Sequence, residues 1–118
     1  MALAVAILFG SQAQAGDALY KTFAGCAARY SATMEHAWLM GNDAAKYKEH
    51  RLTFLSLLDA TLPPERGAEA LNHRVAVKMA QATLLTAASF SDNTDKAERA
   101  KILSEQYLAQ CERLLLDS

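Results

Sequence analysis

The sequence predicts an all-α fold, an antiparallel up-down-up-down four-helix bundle with a disulfide between helices one and four. Three observations lead there. The chain is rich in alanine, has only Pro63 and Pro64 as prolines, and shows no strand-like alternation. Its apolar residues recur at three- and four-residue spacing in four segments of similar length. Its two cysteines, Cys26 and Cys111, fall in the first and last of these segments. At 118 residues the chain has the size of one domain.

Helix one is expected over residues 17–40, with Asp17 in its first turn. Leu19, Phe23, Ala27, Tyr30, Met34 and Ala37 share one face, and Trp38 flanks it. Gly41-Asn42-Asp43 is the break: Gly41 stops the helix, and Asn42 or Asp43 can cap the next one. Helix two is expected over 44–60, with Tyr47, Phe54, Leu55 and Leu58 as its stripe. Pro63-Pro64 ends it, because residues before proline avoid the helical region. Pro64 suits the first turn of helix three, expected over 65–90 with a stripe of Leu71, Val75, Met79, Ala82 and Leu85. The polar run 91–95 is rich in N-cap residues. Helix four, over 95–116, carries Ala97, Ala100, Leu103, Tyr107, Cys111 and Leu114. Short connections make successive helices antiparallel neighbours. A three-helix array with a broken first or second helix is the rival.

The first fifteen residues, MALAVAILFGSQAQA, differ from the rest. An apolar run over 2–9 is followed by Gly10, Ser11 and Gln12, then by the small-x-small pattern Ala13-Gln14-Ala15. This reads as a secretory signal peptide, residues 1–15, cleaved before Gly16. It leaves a single helical-bundle domain, 16–118. No basic residue precedes the apolar run, which is a departure from the usual signal pattern. The run is too short to span a bilayer as a helix, so no transmembrane anchor is expected. The alternative is a buried N-terminal helix. Export implies a periplasmic or secreted location. In an oxidising compartment Cys26 and Cys111 are expected to pair. They are not spaced as CxxC, so neither a thioredoxin-like redox pair nor a haem attachment site is expected.

Charge excludes one broad class of partner. Lys+Arg is 12 and Asp+Glu is 13, for a formal charge of -1, and the charges are interspersed. A nucleic-acid groove needs clustered Lys and Arg, so nucleic acid is not expected. Catalysis is not expected either. Gly-x-Ser-x-Gly is absent, HExxH is absent because Ala-Trp-Leu-Met follows His36, and paired cysteines leave no thiolate. Neither a metal nor another cofactor is expected. A metal needs three or four converging ligands, and helix four has no histidine to ligate a haem.

The candidate binding residues are Glu35, His36, His50 and Arg51, on the hairpin of helices one and two. Glu35 and His36 lie on the polar flanks of helix one. Arg51 shares the face of Tyr47, Phe54 and Leu58, so its head must reach solvent or find an acidic partner. In a hairpin turning at Gly41-Asn42, Glu35 is the expected partner. Lys78 falls near the stripe of helix three, with a stem long enough to reach solvent. The function expected is a small exported, non-catalytic binding or interaction module, its partner another envelope or secreted protein or a second copy. The alternative is a small-ligand or metal carrier using those four residues.

Overall fold

A computed structural model describes the backbone of residues 10–116 and the side chains of residues 19–116. The apolar run 2–9 of the expected leader lies outside the described residues. The described residues form four helices, α1 (Gly10–Leu39), α2 (Ala45–Thr61), α3 (Gly67–Phe90) and α4 (Thr94–Leu116), with one 3-10 turn at Pro64–Arg66. α1 begins upstream of the predicted Asp17, so the expected cleavage point after Ala15 lies within its first turns.

The helix ends follow from local chemistry. Gly41 adopts φ +74, with Asn42 N–H donating to Ala37 O at 2.8 Å and Gly41 N–H to Trp38 O at 3.1 Å. This paired closure caps the last carbonyls of α1. Asp43 Oδ1 then accepts from Ala45 N–H at 2.9 Å and starts α2. Pro63 and Pro64 end α2, and Arg66 N–H closes a tight turn on Pro63 O at 3.0 Å. The predicted start of helix three at 65 therefore moves to Gly67. Asn93 caps α4, its Oδ1 accepting from Lys96 N–H at 3.0 Å.

α1 and α3 run parallel, and α2 and α4 run against them. Ala70 packs with Tyr20 and Ala24 near one end, and Ser89 meets His36 at the other. α1 is the central helix. It packs along α2 and along α3, while α3 packs along α4. Its small buried residues Ala24, Ala28 and Ala32 let the parallel neighbour approach. Cys26 and Cys111 are bonded, with their Cα atoms 5.7 Å apart, and tie α1 to α4.

The aromatic core lies between α1, α2 and α4. Phe54 is fully buried and stacks on Tyr30 at 5.9 Å between ring centroids, with Phe23 at 6.1 Å. The disulfide and the partly buried Leu108 and Leu115 close this cluster from α4. A second cluster, Tyr20, Ala24, Leu58 and Ala70, joins the start of α3 to α1 and α2. A polar layer joins α1, α3 and α4. The fully buried Gln81 accepts from Arg29 Nη1 at 2.6 Å and donates to Ser104 O at 3.5 Å.

One expected stripe is not core. Leu71, Val75 and Met79 are 56%, 52% and 65% exposed. The buried residues of α3 are Ala70 and Gln81 instead. α3 turns its small and polar face inward, because α1 lies too close to admit leucine-sized side chains there. Leu19 is likewise exposed rather than inward.

Candidate functional site

Glu35, His36, His50 and Arg51 do not converge on one site. Glu35 faces α3 and pairs with Lys78, Nζ to Oε2 at 2.6 Å. The expected Glu35–Arg51 pair does not form. α1 points Glu35 at its parallel neighbour α3, and Arg51 Nε donates instead to Ser31 Oγ at 2.7 Å, one helical turn earlier on α1. His36 also turns to α3, with Nε2 at 2.8 Å from Ser89 Oγ and its ring edge-on to Phe90 at 6.4 Å. His50 lies on the aromatic side, its ring against Tyr30 at 5.1 Å with Nε2 buried and unpartnered. Among the described residues no group of three His, Cys, Asp or Glu side chains could hold a metal ion.

Three of the four line neighbouring hollows on the α3 side of α1. Glu35 and His36 border one of about 240 Å3 with Ala82 and Thr86. Arg51 borders another of about 200 Å3, and Lys78 is common to both. The second hollow exists because of what α1 places on its two sides. Toward α4 it offers Tyr30, which with Phe54 fills the space between α2 and α4. Toward α3 it offers Ala28 and Ser31, which fill little. No Cα of α2 comes within 8 Å of any Cα of α3 among the described residues. The result is a groove with α1 as floor, Arg51 on one wall, and Leu71, Arg74, Val75 and Lys78 on the other.

Sequence reasoning names Arg51 among its candidates and does not name Arg74 or Ser31, which border the same hollow. Leu71, Arg74, Val75 and Lys78 stand at i, i+3, i+4 and i+7, one face of a helix. That signal is present in the sequence, and periodicity alone reads the face as core.

A larger cleft of about 400 Å3 lies between α1, α3 and α4 beside the disulfide. Arg29 borders it, its guanidinium 3.5 Å from the Tyr107 ring centroid. Burial lowers the pKa of Arg29 from its ordinary value, and Tyr107 opposes the shift. With Gln81 and Tyr107 both engaged, this arginine is committed to architecture. No helix among the described residues is long and apolar enough to cross a membrane. Compared with family models, curated proteins and solved structures, the chain matches none.

Proposed function

We propose that this chain is an exported, non-catalytic interaction module that receives an amphipathic, acidic helix of another envelope or secreted protein in the α2–α3 groove. The observation that carries this reading is the exposed Leu71 and Val75 on the wall of a groove bordered by Arg51 and Arg74, with the exposed Met79 one turn further along α3. Leu71 to Met79 spans about 12 Å of helix, two turns, which suits a helix anchored by residues one turn apart. Apolar residues so spaced on an open wall favour a protein partner, and the flanking arginines favour an acidic one. Export is supported by the apolar run 2–9, by Ala13-Gln14-Ala15, and by the Cys26–Cys111 bond, which persists best in an oxidising compartment.

Two measurements test this. A mature chain beginning at Gly16 supports export, and an uncut, reduced chain recovered from the producing cell refutes it. A photo-crosslinking residue at Val75, compared with one at the exposed Ile102 of α4, tests the groove. The expected result is a crosslink from Val75 to a defined acidic helical segment of another protein, and none from Ile102. Equal labelling from both positions, or a crosslink only to a second copy of this chain, overturns the reading.

A further inference from the structure

We infer that Arg51 and Arg74 form a carboxylate receptor, which takes the side chain of an aspartate or glutamate on the partner helix. This inference rests on the proposed function of the groove. The charges around the hollow are unequal in their commitments. Lys78 is neutralised by Glu35 at 2.6 Å. Arg51 and Arg74 form no ion pair with any carboxylate among the described residues. Arg51 uses Nε on Ser31 Oγ at 2.7 Å, which fixes the plane of its guanidinium and leaves its two terminal nitrogens to donate. Arg74 Nε is buried and has no hydrogen-bond partner. A buried donor without a partner is costly, so a rotation of the Arg74 side chain that turns Nε toward an incoming oxygen recovers that cost.

Size and shape narrow the ligand. The hollow of about 200 Å3 is smaller than a drug-sized pocket and suits one head group. Guanidinium forks match the planar oxygens of a carboxylate in both spacing and charge. Leu71 and Val75 stand beside the two cations, so the carboxylate must arrive with apolar atoms next to it. A glutamate three or four positions from a leucine on a docking helix has that pattern.

The test is a titration of the full, disulfide-bonded protein followed by the side-chain Nε–H resonances of Arg51 and Arg74. The probes are a stapled helical peptide with two leucines one turn apart and a glutamate between them, its glutamine analogue, sodium octanoate and inorganic phosphate. The expected result is saturable movement of both resonances with the glutamate peptide. Binding should be at least about 10-fold weaker for the glutamine analogue, and for R51Q or R74Q proteins of unchanged melting temperature. Equal binding of the two peptides overturns the receptor while leaving the groove as the docking face. Saturation by octanoate with no binding of either peptide overturns both, in favour of a small amphiphilic acid. Phosphate competing as well as the glutamate peptide overturns carboxylate selectivity. Failure of every probe to bind overturns the receptor and the docking face together.

Discussion

Reducing the Cys26–Cys111 bond is the perturbation whose size follows most directly from the structure. The bond joins residues 85 apart in sequence. Opening a loop of that length returns entropy to the unfolded chain worth about 4.6 kcal/mol at 25 °C. Total stability for a domain of this class is about 5–15 kcal/mol, so the reduced protein should sit near the edge of folding. The tie also joins helices with few other links. Besides the packing of Leu108 and Leu115 on the aromatic cluster, α1 and α4 meet at the Arg29–Tyr107 contact and at the Tyr30 hydroxyl, which donates to Leu108 O at 3.4 Å. The assay is urea denaturation followed by helical circular dichroism, comparing oxidised protein, reduced protein and the C26A/C111A variant. The midpoint should fall by roughly 2–4 M in both reduced and substituted forms. A loss below about 1 kcal/mol would refute the reasoning. It would show that the unfolded chain already holds its two end helices together without the bond.

Three further outcomes are expected. Phe54→Ala should cost about 3–5 kcal/mol in denaturant unfolding, because Phe54 is fully buried against Tyr30 and Phe23. Burial first, and then the negative charge of Glu112, push Tyr30 from 10.0 up to about 12. The folded state thus favours the neutral phenol; its contribution is intact below pH 10 and is lost as pH rises toward 12. Denaturation midpoints across that window should fall, and Y30F should fall less steeply. Lys21 and then Arg66 hold Glu69 below its ordinary 4.5, so its contribution is present above that pH and is lost as pH falls beneath it. Acid titration of stability should show a shallower decline in E69Q, modest in size because the ion pairs are exposed.

Much of the fold was legible because its signals are local. Gly41 and Pro63-Pro64 dictate where α1 and α2 stop whatever surrounds them. Phe54 and Leu58 were expected in the core of α2 and are buried there. The pairing of Cys26 with Cys111 followed from having two cysteines on helices that must be neighbours. What failed was anything that depended on which helix α1 prefers to touch. Periodicity placed Leu71, Val75 and Met79 on one face but could not say whether another helix covers it. Alanines on α1 drew α3 in by its small face, and the larger residues were left outside. The same choice of neighbour gave Glu35 to Lys78 and left Arg51 to Ser31. His50 looked like a polar candidate, yet it packs against the Tyr30 ring because both lie toward the aromatic core.

The buried amide of Gln81 has a consequence for how the helices align lengthwise. On α1 the buried residues Ala24, Ala28 and Ala32 recur one turn apart, and one methyl group resembles the next. Sliding α1 by one turn, about 5.4 Å, would replace alanine with alanine there and break only exposed polar contacts such as Glu35–Lys78 and His36–Ser89. Gln81 breaks that degeneracy. Its oxygen takes Arg29 and its nitrogen gives to Ser104, so a single axial setting of three helices satisfies both ends. Any other setting strands a fully buried carboxamide at a cost of about 1–3 kcal/mol. The amide acts as a key among packings that a smooth alanine surface cannot tell apart. Arg74 rides on the same helix as that key, so its position along α1 is set by a side chain well removed from the groove.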